Sequence, residues 1–487
     1  MATDADMDTS GGFAFTREKS AMGLDRERKE RRARRTLACA LGAVVAASGT
    51  SAGLYLTRTP PRAPQPPCPS CISDGSRVFP GDDQAMRVVL AAIAKENEGV
   101  RTRKGRPYVS IVLLDPMTPG VGSDLTPARM VDELRAAYLA QVTMNDADTL
   151  GIQLLIDDEG TSAEADEGPA VQQLMTMEGA PDNVVAVAGL GVSNAQTAAS
   201  AGTLSRDGMP MFAGLTAADE FSGNTFSGMV QVIPNVSAEV AQLAQQLPTP
   251  RAAVLVYDQQ TTDYYTRDLR ISFTQDFANS LTDEPQPYMP GVSDTNVEFQ
   301  AIADEVCYTS GLPPVVLYAG RNAVLASLVQ QFQSDGNCRG KKITMLSAGD
   351  ADGLAPSVTA SAPGTGQVSV IYSDLFNLNR LTPAFQQSYQ QTLAKLDPGD
   401  SGLGDPWMGA TYNAMMAAWA AIQPAYRAVA PAAPTKSDVL GFVVRLNGMF
   451  TPSGATGPFP LSADGTLINP DVPIFEDTAG QRFTLTN

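Results

Sequence analysis

The chain has 487 residues, 43% of them apolar, and a formal net charge of −18. That length supports about two to three domains, and the acidic balance argues against nucleic acid, whose phosphates need clustered Lys and Arg. The sequence contains no histidine, which excludes Ser-His-Asp and Cys-His catalysis and every His-ligated metal site. Residues 1–35 are rich in charge and poor in apolar side chains, so they read as a disordered cytoplasmic segment. It ends in the basic run Arg26–Arg35, directly before the uncharged stretch Thr36–Leu56. A span of that length can cross a bilayer, and flanking basic residues stay inside. The expectation is a single-pass signal-anchor over residues 36–57, with the folded part outside the cell membrane. The alternative is a cleaved export signal, and Arg34-Arg35 points toward the twin-arginine kind. Cys39 lies early in the apolar run and reads as an ordinary membrane residue. Residues 58–107 hold a proline-rich spacer, Thr59–Pro69, and a lead-in helix over Gln84–Glu98. Cys68 and Cys71 read as a structural disulfide rather than a redox pair, because no thioredoxin-like unit surrounds them.

From Tyr108 the pattern becomes regular. Tyr108–Leu114 and Ile152–Ile156 are strands, and Pro127 opens a helix that runs to about Asn145. A helix over Glu164–Met177 follows. Strand Val184–Ala188, helix Val192–Ser205 and strand Met209–Ala213 form the unit around which the chain is organised. Its two loops, Gly189–Asn194 and Gly214–Phe221, leave the C-terminal ends of parallel strands, the edge where open α/β sheets bind ligands. Both are rich in small polar residues, suited to an anionic group at a helix N-terminus. Gln231–Pro234 leads out of this sheet. A second series follows: helix Ala238–Leu247, strand Ala252–Tyr257, helices Thr266–Asn279 and Glu298–Tyr308, and strand Val315–Tyr318. Helix Ala323–Ser334 and strands Ile343–Ser347 and Val368–Tyr372 complete it. Strands alternating with helices imply parallel sheets, and two such series imply two α/β lobes. Helices Pro383–Leu396, Tyr412–Tyr426 and Ser437–Leu446 and a β-rich tail must cover both.

The order of these stretches carries a resemblance. VSIVLLDPMTPG, GIQLLIDDEG, the central VVAVAGLGVSNAQTAASAGTLSRDGMPMFAGLTAADEF, QVIPNVSAE, VVLYAGRNAVLASLVQQF and the closing TGPFPLSADGTLINPDVPIF succeed one another. From Tyr108 onward the sequence resembles the type 1 periplasmic-binding fold, in particular the branched-chain amino-acid and amide receptors of ABC transporters. The resemblance implies a two-lobe Venus-flytrap with three crossovers, near Pro234-Asn235, Asn377–Leu381 and Asn447–Phe450. Lobe 1 is then 108–232 with 378–446, and lobe 2 is 233–377 with 447–487.

Site residues follow from the same resemblance. Ser193 and Asn194 occupy the serine loop that holds a ligand carboxylate, although a plain helix cap is the other reading. Gly214 and Thr216 match the positions that hold an amino-acid head group, or are turn residues. Tyr264 or Tyr265 is the lobe 2 aromatic that closes over the ligand. Asp350 is the carboxylate that pairs with an ammonium group; Asp352 reads more readily as a helix cap. Arg321 and Asn322 lie on the same rim. Asp157, Asp158 and Glu159 form an acidic cluster, which receptors of this kind carry without metal. Cys307 and Cys338 sit at the two ends of a strand–helix unit whose helix returns to the same sheet edge. That geometry favours a disulfide outside the cell, with two buried thiols as the alternative. The expected function is a solute-binding protein that clamps an amino acid or amide for an ABC permease, without cofactor or metal. A membrane-anchored sensor or scaffold engaging another membrane protein is the alternative, and an enzyme relying on Asp350 and Asp352 is the third.

Overall fold

The structure is a computed structural model that describes residues 72–79, 84–118, 126–147, 149–158, 160, 167–282, 284–291, 295–308, 313–400 and 402–486. The expected membrane span over 36–57, the Cys68–Cys71 pair and Glu159 lie outside these residues. Among the described residues no helix is long and apolar enough to cross a membrane.

The first sheet has the strand order β1-β3-β2-β4-β5-β6. Its strands are β1 (Ile72–Ser73), β2 (Tyr108–Asp115), β3 (Gly151–Asp158), β4 (Val184–Gly189), β5 (Met211–Ala213) and β6 (Met229–Gln231). β2 and β3 pair in parallel from Tyr108–Gly151 to Asp115–Asp158, and every residue of β3 and β4 is buried. Burial on both faces explains their continuous apolar runs. The sequence reading treats Gln231 as the start of an exit, yet Met229–Gln231 pairs in parallel with β5 and ends the sheet. Three residues between Gly228 and the run Val232-Ile233-Pro234 carry no legible period. β1 is shorter still and pairs antiparallel with β3.

Helices α1 (Gln84–Thr102), α2 (Pro127–Asp146), α3 (Glu167–Met175) and α4 (Ala195–Asp207) belong to this half. Thr126 caps α2, accepting from the Arg129 N–H at 3.3 Å, and Pro127 fills the first helical position as expected. Gly208 ends α4 in the left-handed conformation, φ 72°.

The second sheet has the order β15-β14-β11-β10-β9-β7-β8. It holds β7 (Ala253–Asp258), β8 (Gln286–Tyr288), β9 (Val315–Ala319), β10 (Lys342–Ser347) and β11 (Gln367–Ser373), all parallel, with the antiparallel pair β14 (Ile474–Thr478) and β15 (Gln481–Thr486) on one edge. Its helices are α5 (Val236–Gln246), α6 (Tyr264–Asp276), α7 (Thr295–Cys307) and α8 (Asn322–Ser334). α9 (Pro383–Leu396), α10 (Pro406–Val429) and α11 (Lys436–Val443) return to pack on the first half. The chain therefore passes between the halves three times: after β6, after β11 and after α11. Ser453–Gly454 and Gly457–Pro458 form β12 and β13, a small separate ribbon.

Cys307 at the end of α7 and Cys338 after α8 are joined by a disulfide, with their Cα atoms 4.9 Å apart. Both are buried in the apolar cluster of the second sheet, beside Phe299, Leu328 and Phe332.

Candidate functional site

Strand order locates the site. In the first sheet β2 sits between β3 and β4, so successive connections leave β2 in opposite directions. In the second sheet β7 sits in the same way between β8 and β9. A crevice opens at the C-terminal ends of strands at such a switch point. The loops after β4 and β5 in one half meet the loops after β7, β9 and β10 in the other.

The loop after β4 makes its turn through three consecutive left-handed residues, Gly189 (φ 91°), Leu190 (φ 73°) and Gly191 (φ 60°). Glycine is required at the first of them: a Cβ at Gly189 would run into the Asp115 carboxylate. That carboxylate in turn accepts from the Gly191 N–H at 2.8 Å. Leu190 carries backbone strain, and its buried side chain and its hydrogen bond to the Leu114 carbonyl at 2.7 Å hold it in place. Ser193 emerges from this turn. Its Oγ accepts from the Ala218 N–H at 3.0 Å, which ties the loop after β4 to the loop after β5. The Asn194 side chain caps α4, accepting from the Gln196 and Thr197 N–H groups at 2.8 and 2.9 Å.

Across the crevice the Ser193 carbonyl accepts from the N–H groups of Tyr264 (3.1 Å) and Tyr265 (3.4 Å) and from Arg321 Nη2 (3.5 Å). The Ala195 N–H donates to the Thr262 carbonyl at 2.9 Å. Arg321 is fixed by Asp263 at 2.7 Å and lies over the Tyr265 ring, 4.5 Å from its centroid. The Tyr265 hydroxyl accepts from the Asp350 N–H at 3.0 Å, and Asp350 Oδ2 accepts from the Asn322 N–H at 2.7 Å. Ser193, Asn194, Tyr264, Tyr265, Arg321, Asn322 and Asp350 thus belong to one bonded network. Tyr265 is the buried member of the tyrosine pair. Tyr264 is half-buried, with Arg267 stacked on its ring.

Gly214 and Thr216 stand apart from that network. Gly214 faces the Ala410 carbonyl and Ala414 on α10, close enough that a side chain would be tight, so its contact is with a helix. Thr216 is fully buried. Its carbonyl accepts from Gln231 Nε2 at 2.7 Å, while its Oγ1 has no hydrogen-bond partner. A second unsatisfied oxygen, Oε1 of Glu239, lies on α5. Glu239 Oε2 accepts from the Gly349 N–H (2.8 Å) and Ser373 Oγ (2.9 Å). Burial pushes the Glu239 carboxyl up to about 7 against those two donors.

Asp352 does not cap a helix. It forms a buried ion pair at 2.7 Å with Arg129 of α2, which also reaches Asp405 at 3.0 Å and stacks on Trp407. Burial raises the Asp352 carboxyl to about 7 although Arg129 opposes the shift. Asp158 organises backbone: it accepts from the Met117 and Gly160 N–H groups, both at 2.9 Å, and from Thr118 Oγ1 at 2.7 Å. Among the described residues no group of His, Cys, Asp and Glu is arranged to hold a metal ion. Arg129, Asp263, Glu239 and Asp405 were not picked out from the sequence, because each meets its partner across the site from far along the chain, although Asp263 and Asp405 also cap the helices that follow them.

Solved structures share this architecture. A Desulfitobacterium hafniense ABC transporter substrate-binding protein, in complex with Leu, matches over 78% of this chain and 100% of its own, with TM-score 0.56 and 13% identity. A second structure of a substrate-binding protein from that organism gives TM-score 0.57 at 14% identity, with the same coverage. A Rhodopirellula baltica structure described as a "possible leucine/isoleucine/valine-binding protein" gives TM-score 0.56 at 12% identity, over 79% of this chain and 98% of that one. No protein-family model matches the sequence, and no curated protein matches it. The architecture is that of the two-lobed binding proteins. The particular form is the type 1 periplasmic-binding fold, the fold of substrate-binding proteins of ABC transporters for branched-chain amino acids.

Proposed function

We propose that this protein binds a small polar solute, an amino acid or amide, between its two lobes and serves as the receptor of an ABC-type uptake system. The observation that carries the reading is the meeting of Ser193 from one half with Tyr265 and Arg321, and through Tyr265 with Asp350, from the other. An unsatisfied buried hydroxyl at Thr216 supports it, because a buried polar group without a partner is costly and its place is explained by a ligand that supplies the bond. In this reading 108–232 with 378–446 and 233–377 with 447–487 move as two bodies about the three crossovers, and hinge closure traps the ligand. The span 36–57 would hold the folded part outside the membrane, next to the permease.

Thermal unfolding of the full chain against amino acids, amides and small organic acids tests this. A ligand at 100 times its Kd adds about 2.7 kcal/mol, a shift of several degrees. The shift should vanish in Thr216→Ala and Asp350→Ala. If no compound of these classes shifts the midpoint, the solute-binding reading fails. One observation favours a second reading, a membrane-anchored sensor or scaffold. The Ser193 carbonyl is already satisfied by groups of the opposite half, so the lobes can seal on protein atoms alone and present the closed form to a partner.

A further inference from the structure

A cavity of about 620 Å³ lies away from the serine loop, where the segment after β11, the start of α10 and the edge strands β14 and β15 meet. Five aspartates line it, Asp132, Asp352, Asp374, Asp400 and Asp405, against one lining cation, Arg482. Most of this charge is paired. Arg129 bridges Asp352 and Asp405, Arg135 bridges Asp132 (3.0 Å) and Asp400 (2.8 Å), and Arg482 is held by Asp477 at 2.8 Å. Asp374 is different. It is 4% exposed, makes no ion pair among the described residues, and its Oδ1 has no hydrogen-bond partner. On the same wall Asp352, 7% exposed, leaves its Oδ2 without a partner. Asp352 and Asp374 both line the cavity, and each keeps one buried carboxylate oxygen without a partner just beneath its wall; a cationic donor is the strongest partner for such a pair.

The rest of the wall decides which cation. Phe376, Leu378, Leu403 and Phe475 give it an apolar side. Calcium and magnesium take six or more oxygen ligands, several of them carboxylates, and the described residues hold no group arranged for a metal ion. An ammonium on an alkyl chain has three donors for the two oxygens and a stem for the apolar wall. We propose that this cavity binds an aliphatic amine or diamine, with its ammonium held by the carboxylates of Asp352 and Asp374 and its chain against Phe376, Leu403 and Phe475. Burial, then the neighbouring Asp352 and Asp405 charges, push the Asp374 carboxyl well above the ordinary range, so an arriving cation displaces a proton there. The site is separate from the Ser193 loop and does not depend on an amino acid binding at that loop.

Calorimetric titration of the full chain with putrescine, spermidine and calcium chloride at low salt tests the proposal. Putrescine or spermidine should bind with a Kd below about 1 mM, a modest affinity by the usual arithmetic, and more tightly than calcium. Asp374→Asn should weaken the amine at least tenfold. Leu403→Trp, which puts a large side chain into the cavity and changes no carboxylate, should weaken it as well, and circular dichroism confirms that each variant is folded. Should Asp374→Asn not fold, Leu403→Trp decides. The proposal is overturned if neither amine binds, if calcium binds more tightly, or if a folded variant binds the amine as the wild type does. Amine binding without any amino-acid response in the thermal panel would refute the interlobe reading alone.

Discussion

Thr216→Val separates a structural threonine from one held for a ligand. The substitution keeps the branched shape and puts a methyl group in place of the hydroxyl. In the structure that hydroxyl is fully buried and makes no hydrogen bond. A buried polar group left unsatisfied costs about 1–3 kcal/mol, so valine should stabilise the ligand-free protein by about 1 kcal/mol, part of the gain being offset by imperfect fit. For a chain of this size that is a rise of about 2 °C in Tm. The ligand should suffer in the opposite sense. If Thr216 Oγ1 bonds a bound head group, its loss removes about 1.5–3 kcal/mol when the partner is charged, a tenfold to hundredfold rise in Kd. The assay is one pair of thermal melts per variant, with and without the best ligand of the panel. A Thr216→Val protein less stable than wild type would show that the hydroxyl is satisfied in solution, and would refute the reasoning. So would a stabilised variant with unchanged affinity.

Other outcomes follow from the same structure. Arg129→Ala leaves the Asp352 carboxylate, whose side chain is 2% exposed, without its partner and should cost about 3–5 kcal/mol in denaturant unfolding, whereas Arg129→Met with Asp352→Leu should recover most of it. The Glu239 carboxyl is raised from its ordinary range to about 7. Its folded form thus binds a proton more tightly than its unfolded form, and stability should fall as pH rises from about 4.5 through 7. Glu239→Gln should flatten that slope in a Tm–pH series, and an unchanged slope would exclude Glu239 as its source. Replacing Cys307 and Cys338 with alanine opens a link between positions 31 residues apart and should lower stability by about 3–4 kcal/mol on the loop-entropy relation; dithiothreitol should reproduce the loss.

The fold was legible because parallel strands buried on both faces write continuous apolar runs, as at Ile111–Leu114 and Val184–Ala188. A helix start was legible where proline marks it, at Pro127, whereas the helix expected from Val192 begins only at Ala195, because the Asn194 side chain caps it there. Strands of two or three residues, such as Ile72–Ser73 and Gln286–Tyr288, are too short for any period. The site was half legible. Residues on loops after strands could be named, because strand ends are visible. Their bonds could not, because Arg129 meets Asp352 and Asp405 across 223 and 276 positions of sequence, and nothing local announces such a meeting. Asp352 shows the limit well. A glycine–aspartate turn favours a cap on local grounds, and a distant arginine took the side chain instead.

If the chain binds a solute as proposed, the groups that join its two halves across the crevice decide how readily it closes. The links are polar and oriented. Arg321 is fixed by Asp263 before it reaches the Ser193 carbonyl. The Asp219 N–H meets Asp268 at 2.8 Å, and Glu220 pairs with Arg267. Each of these groups is solvated when the crevice opens, so its net contribution to closure is small. Arg129 with Asp352 is the exception, because burial makes separating that pair expensive unless water follows. In that reading closure sits near balance, held by one buried ion pair and several weaker polar links. A ligand that satisfies Thr216 while leaving Arg321 on Asp263 then needs only a few kcal/mol of differential binding to shift the population decisively.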